Sequence, residues 1–266
     1  MNNGAKNVFL FYKKTPEMEE ISKTITEEAK SYGYHIVSNA KDAQIIISIG
    51  GDSAFLQAVQ KTNFRENCNY VGISTDSLGF YTDFTINESR ELFNSLQEEQ
   101  ISIRQAPVLE VIINEETPFY CLNECTIRSN VIKSFVIEVF IDDMHFETFR
   151  GDGMIVSTPS GSTGYSKSVR GAVIDPDLPS LQVSEIASLN NNSYRTLGTS
   201  FILGPNRKLT LEVVQDGNDH PIIGVDNEAL SIRHAKQIHL SLANREIKVV
   251  QKQEHSFWKT VQKTFV

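Results

Sequence analysis

The chain has 266 residues, 40% of them hydrophobic, and a formal net charge of −8. That length fits one large or two medium domains with a real core, and the absence of any Lys/Arg-rich run argues against a nucleic-acid-binding surface. No stretch approaches a membrane span and none behind Met1 resembles a secretory leader, while Cys68, Cys121 and Cys125 are odd in number and lack zinc spacing; the expectation is a cytoplasmic protein with reduced thiols and no membrane partner.

Along the chain, Val8–Tyr12 is strand-like, and Thr15-Pro16 reads as an N-cap followed by proline at the first helical position. Glu17, Glu19 and Glu20 suit the positive end of the helix dipole. Ile21, Ile25 and Ala29 give one apolar stripe, which Gly33 ends. His35–Val37 reads as a short strand. Ile45-Ile46-Ile47-Ser48-Ile49 is a strongly β-branched run of the kind buried in parallel sheets.

Gly50-Gly51-Asp52 follows that run directly. Ligands of open α/β sheets sit beyond the carboxyl ends of the strands, so Asp52 stands where chemistry is expected. Gly50 and Gly51 leave bare backbone for a phosphate to approach; an acidic surface turn is the alternative. Ala54–Gln60 then reads as a helix and Tyr70–Ile73 as a strand. The polar turn Thr75–Gly79 ends in two exposed-looking aromatics, Phe80 and Tyr81, and Asn87 reads as the cap of a helix with Leu92, Phe93 and Leu96 inward. This alternation predicts a largely parallel sheet covered by helices.

After Gln105-Ala106-Pro107 the rhythm changes. Val108–Ile113, Tyr120–Ile127, Ser134–Ile141 and Met144–Phe149 read as successive strands, with Asp142-Asp143 a tight hairpin turn. Residues 150–175 alternate Gly151, Gly153, Gly161, Gly164 and Gly171 with seven Ser and Thr residues around a strand-like Met154-Ile155-Val156. Such a stretch offers backbone N–H groups and hydroxyls to sugars and phosphates; a flexible linker is the alternative. Ser180–Asn190 reads as a short helix, and Lys208–Val214, Gln237–Leu242 and Glu246–Val250 as strands. Phe257, Trp258, Val261 and Phe265 have helical spacing and need cover.

The expected architecture is therefore an α/β N-terminal domain with a largely parallel sheet (1–104), a mostly antiparallel β-rich domain (105–250), and a C-terminal helix (251–266) returning to the first domain.

Four ordered segments resemble motifs of the NAD kinase family, of the compact bacterial kind. Gly50-Gly51-Asp52 resembles the start of its GGDGT motif, and Ser77–Tyr81 its LGF segment. Leu122-Asn123-Glu124 resembles its asparagine–acid pair. Gly151-Asp152-Gly153, with Thr158-Pro159-Ser160-Gly161-Ser162-Thr163-Gly164-Tyr165, resembles its GDG and TPTGSTAY motifs. The resemblance spans nearly the whole chain. It implies ATP-dependent phosphorylation of the adenosine ribose 2′-hydroxyl of NAD to give NADP, in a crevice between two domains. It also implies a divalent metal, usually Mg²⁺, with ligands the sequence does not identify; ATP or polyphosphate as donor; and a homodimer or homotetramer.

Carried onto this sequence, the resemblance makes Asp52 the general base, and Gly50, Gly51 and Ser53 the phosphate loop. The NAD-binding set is Asp52, Ser53, Phe80, Tyr81, Asn123, Glu124, Arg150, Asp152, Ser160, Thr163, Gly164, Tyr165, Ser166, Lys167, Ser168 and Asp226. Within it, Phe80 and Tyr81 flank the base, Asp152 contacts the nicotinamide end, and Asp226 is the late acid near the reacting hydroxyl. Alternatives stay open for several: core aromatics for Phe80 and Tyr81, a strand-end cap for Asn123 and Glu124, and a hairpin-turn carboxylate for Asp226.

Two departures stand out. Ser53 and Ala54 replace the glycine and threonine of GGDGT, and Gly164 replaces an alanine. Were position 53 left-handed, serine there would cost roughly 1–2 kcal/mol. The rival readings are a non-catalytic NAD/NADP-binding paralogue with an altered phosphate loop, acting as a sensor or subunit, and a lipid or sugar kinase sharing the GGD motif.

Overall fold

The structure is a computed structural model describing residues 6–130, 134–192, 194–214, 221–230, 232 and 234–266. Met1–Ala5, read above as lacking a leader, lie outside this set. The chain divides into two compact units, Met1–Ala106 with Glu246–Val266, and Pro107–Arg245.

The first unit opens with β1 (Asn7–Tyr12), α1 (Pro16–Ser31), β2 (His35–Ile36) and β3 (Ile45–Ile49), and continues with α2 (Asp52–Lys61), β4 (Asn69–Ser74), β5 (Thr82–Thr85) and α3 (Ser89–Gln97). The sheet is parallel: β1 lies between β2 and β3, and β4 pairs with both β3 and β5. Every residue of β3 is buried, as its continuous apolar run requires of a central parallel strand. Thr15 caps α1 by accepting from the Met18 N–H at 3.3 Å, and Ile25 and Ala29 are its buried stripe. Gly33, just beyond the helix, has φ 80°, a conformation glycine takes without a Cβ clash. Asn87 is not the cap of α3. It lies within a one-turn 3₁₀ helix, Ile86–Glu88, where Thr85 and Glu88 form a reciprocal capping box. The box supplies two partners where Asn87 would have supplied one.

The second unit contains the end of β6 (Ile101–Ile113), then β7 (Phe119–Cys121), β8 (Glu124–Arg128), β9 (Phe135–Ile141), β10 (Met144–Gly151), β11 (Gly153–Ser157), α4 (Tyr165–Ser168), β12 (Leu181–Ile186), β13 (Phe201–Leu203), β14 (Leu209–Val213), β15 (Ile222–Val225), β16 (Glu228–Leu230) and the start of β17 (Gln237–Lys252). Its pairings are antiparallel, in the orders β10-β9-β14-β17 and β13-β12-β11-β8-β15-β16. One apolar cluster, including Phe135, Phe149, Val156, Val183 and Leu211, forms its core. Cys121 and Cys125 are buried there as free thiols, and burial pushes both well up.

The helix expected over Ser180–Asn190 is instead β12, buried along most of its length between β11 and β13. Glu246–Val250 belongs to the first unit, where Lys248 and Val249 of β17 pair in parallel with Asn69 and Tyr70 of β4. The chain ends in α5 (Phe257–Phe265), part of the same unit. Its Phe257 and Phe265 rings meet Phe80, while Trp258 stays half-exposed. Among the described residues, no helix is long and apolar enough to cross a membrane.

Candidate active site

In the first unit, the junction after β3 is built by two glycines in conformations closed to other residues, Gly50 at φ 134° and Gly51 at φ 92°. Gly51 is the N-cap of α2, and Asp52 is its first residue. Ser53 follows inside the helix, exposed and without a left-handed φ. The backbone cost considered for serine at this position is therefore absent. Gly51 contributes no side-chain cap to α2, and the N-terminal end of a helix favours an anion.

The Asp52 carboxylate accepts from two consecutive backbone amides, Phe80 N–H at 2.8 Å and Tyr81 N–H at 2.9 Å. Burial raises its pKa from the ordinary carboxylate value, while the two amides and the charge of Arg104 pull it back down. Gly79 completes this cradle: a Cβ there would lie 2.3 and 2.4 Å from the Asp52 oxygens. The aromatics read as exposed are packed. Tyr81 is buried against Phe55 of α2, 4.7 Å between ring centres, and half-buried Phe80 meets α5.

In the second unit, the dipeptide Asn123-Glu124 opens β8. Asp226, in the β15–β16 turn at φ 48°, accepts from the Leu122 N–H at 2.9 Å and the Asn123 N–H at 2.7 Å. Its own N–H donates to the Glu124 carbonyl at 2.9 Å. Asp226 thus occupies a hairpin turn and also fixes the entry of β8. The Ser/Thr/Gly segment reaches the same dipeptide. The Thr158 hydroxyl donates to the Leu122 carbonyl at 2.6 Å, and its N–H donates to the Asn123 carbonyl at 2.9 Å. A Cβ on Gly161 would lie 2.2 Å from that carbonyl oxygen, and one on Gly164 would lie 3.2 Å from Glu124 Oε2. An alanine at 164 would thus be in close but tolerable contact with Glu124.

Glu124 is buried, and its Oε2 has no hydrogen-bond partner among the described residues. Burial first, and the negative charge of Asp226 second, push its pKa up to about 8. The Asp226 carboxyl is raised to about 6 by burial, against the amides that favour its ionised form. Near neutral pH, Glu124 therefore holds a proton and can both donate and accept, while Asp226 is largely ionised.

The remaining predicted residues are placed as follows. Ser160 is buried in a short 3₁₀ turn, Thr163, Gly164 and Tyr165 are half-buried, and Lys167 and Ser168 are exposed. The Ser166 hydroxyl is taken up in a buried network, accepting from Gln182 Nε2 at 2.8 Å and lying 3.2 Å from the Ser184 hydroxyl. Arg150 donates to the Ser134 hydroxyl at 2.8 Å and the Tyr194 hydroxyl at 2.6 Å. Asp152 is exposed between two buried glycines. A cavity of about 420 Å³ has Ser168, Arg170, Glu185, Ser188, Thr199 and Ser200 among its lining residues. Gly79, Thr158 and Gly161 were absent from the predicted set. The signal for them was their place inside the quoted motifs, two of them glycines beside a functional polar residue.

Among the described residues, no group of three or more His, Cys, Asp and Glu side chains could hold a metal ion.

Two family models match: ATP-NAD kinase N-terminal domain over residues 6–101 and ATP-NAD kinase C-terminal domain over residues 122–252. A protein named NAD kinase 2 from Halalkalibacterium halodurans is 61% identical over 260 residues, covering 98% of both chains. NAD kinase 2 from Bacillus subtilis is 54% identical over 267 residues, covering 100% of both. Among solved structures, yeast NADH kinase complexed with NADH superimposes with a TM-score of 0.81 at 18% identity, covering 99% of this chain and 88% of that one. An NAD kinase from Archaeoglobus fulgidus in complex with ATP gives 0.76 at 20% identity, covering 97% of each. These last two show the fold; the family models and the high-identity relatives show more, and by them the chain belongs to the NAD kinase family.

Proposed function

We propose that the chain transfers the terminal phosphoryl group of ATP to the 2′-hydroxyl of the adenosine ribose of NAD, giving NADP, with Asp52 as the general base. Family membership carries the activity. The observation that supports the role of Asp52 is its cradle: a carboxylate at the N-terminus of α2, aimed by two backbone amides. Each carboxylate oxygen has a second lone pair, so Asp52 keeps the capacity to accept the proton of the ribose hydroxyl. Phosphoryl transfer depends mainly on positioning and charge neutralisation, and a base held at both oxygens keeps its attacking partner in line.

The N-terminal end of α2, with Gly50 and Gly51, suits the donor phosphates by dipole and by bare backbone. Asn123 and Glu124 suit the adenine and ribose edges. The protonated Glu124 offers a donor that an ordinary carboxylate lacks, and its unpartnered Oε2 suits a ribose hydroxyl. Asp226 works through these two by fixing the start of β8. Thr163, Gly164, Tyr165 and Ser168 line the same reading of the pocket, and Asp152 the nicotinamide end. Mg²⁺ takes most of its ligands from phosphates and water, so the divalent ion of this reading belongs with the nucleotide. A homodimer or homotetramer in the cytoplasm completes the proposal.

The test is NADP formation from NAD, with ATP and Mg²⁺ and then with polyphosphate, for the wild type and for Asp52→Asn. The wild type turns over with ATP. Asp52→Asn loses turnover by on the order of 10³-fold while binding NAD nearly as well in calorimetry. Full activity in Asp52→Asn removes the general-base assignment. NAD binding by the wild type without turnover on either donor points to a non-catalytic dinucleotide binder.

A further inference from the structure

The two amides that hold Asp52 belong to residues whose side chains are gripped by different helices. Tyr81 stacks on Phe55 with 9° between the ring planes, and Phe55 lies three residues beyond Asp52 on α2. Phe80 meets Phe257 and Phe265, each 5.9 Å away between ring centres. These are the first and last residues of α5. The peptide carrying both donors is therefore held between α2 and α5.

A second tie fixes the approach to α5. Asp83, two residues after Tyr81, accepts from the Lys252 N–H at 3.0 Å and lies 2.7 Å from His255 Nδ1. His255 precedes Ser256, whose hydroxyl caps α5. The helix itself contributes little to the core. None of its residues is fully buried, and Trp258 is half-exposed. Both ends of the helix meet Phe80, and Phe257 also makes a T-shaped contact with Trp258.

From this arrangement we infer that α5 is a positioning element for the Asp52 carboxylate: Phe257 and Phe265 fix the Phe80 ring, and the ring fixes the amides that aim the carboxylate. The kinetic consequence, though not the geometric one, rests on the reading of Asp52 as the base. The physical link is direct. Amides donating to a carboxylate favour its ionised form, so loosening them raises the Asp52 pKa and lets the carboxylate wander from its attack geometry. The other charged groups acting on Asp52 are Arg104, which opposes that rise, and Asp83, which adds to it.

The experiment uses the full chain with Phe257→Ala/Phe265→Ala, the milder Phe265→Ala, and Phe265→Tyr, which keeps the ring at a partly exposed position. The readouts are the Asp52 pKa, followed by carboxyl ¹³C NMR and assigned by its loss in Asp52→Asn, and the pH profile of kcat/KM. In the double variant the Asp52 pKa rises by about 1, the acid limb moves up with it, and kcat falls on the order of 10-fold with KM for NAD nearly unchanged. Phe265→Ala shows a smaller shift in the same direction, and Phe265→Tyr restores the wild-type profile. An Asp52 pKa unmoved in both alanine variants overturns the inference, whatever happens to melting temperature. A risen pKa with an unmoved acid limb leaves the positioning role standing and removes instead the reading of Asp52 as the base.

Discussion

Gly79 owes its identity to space. Its φ is not left-handed, yet a Cβ would fall 2.3 Å from one oxygen of Asp52, closer than any side chain tolerates. Gly79→Ala must push the carboxylate out of its cradle, breaking the bonds from Phe80 and Tyr81. A displacement of about 1 Å at a reacting group costs on the order of 100-fold in rate. The expected outcome is a loss of that order in kcat for NADP formation, with a small change in melting temperature, since the turn Asp76–Phe80 contributes nothing to the wholly buried core. Steady-state kinetics beside a thermal melt checks it, and an unchanged kcat would show that the carboxylate works equally well elsewhere. Ser53 is the contrasting case. It differs from the family motif at a position where the helix accepts any ordinary residue, so the departure that looked most damaging in the sequence costs the backbone nothing.

The β9–β10 hairpin shows how local chemistry fixes an element. Its turn residues Asp142 and Asp143 have φ 48° and 65°, the left-handed pair that a two-residue hairpin requires. Asp142 has a second task, accepting from the Lys208 N–H at 3.0 Å and pairing with Arg207. Asp143 is exposed. Asp143→Gly should therefore relieve left-handed strain and stabilise the chain by about 0.5 kcal/mol, read as a raised urea midpoint at constant slope. No gain, or a loss, would show that Asp143 makes a contact that offsets its strain.

Elements of this local kind were legible in the sequence: this hairpin, the Thr15-Pro16 start of α1 and the isoleucine strand β3. β12 was not, and the reason is polar burial. Gln182 and Ser184 are fully buried on a central strand, bonded to Ser166, Ala172 and Ser200. Polar residues satisfied inside the protein disguise the alternation that betrays a strand. The site divides the same way. Gly50-Gly51-Asp52 and Asn123-Glu124 announce themselves, whereas the donors to Asp52 come from 28 and 29 residues further on. The amides that fix Asp226 lie about a hundred residues away. Local signals carry the reactive group; the groups that aim it are brought by tertiary structure.

For the molecule as a whole, the buried carboxyls set a pH dependence of stability opposed to that of the proposed chemistry. Glu124, Glu147 and Asp226 are raised to about 8, about 7 and about 6, in each case mainly by burial. Their unfolded-state values lie near 4. Between the two values, the unfolded chain has released a proton that the folded chain still holds. Folding stability therefore falls as pH rises across that window and levels off above the folded value. Glu88, held down by Lys252 and by the donors of Thr85, acts in the opposite sense, but its window closes below the ordinary carboxylate value. The proposed base Asp52 needs to be ionised, which favours higher pH. The melting temperature should accordingly drop between about pH 5 and about pH 8, while kcat/KM climbs on its acid limb. Glu124 has the highest of these values and acts across the whole window, so Glu124→Gln should remove the drop above about pH 7 and make it shallower below, where Asp226 and Glu147 still act. Thermal melts of the two proteins across that range decide the matter. A full drop retained in Glu124→Gln would mean that Glu124 is ionised in the folded chain and cannot donate to a ribose hydroxyl.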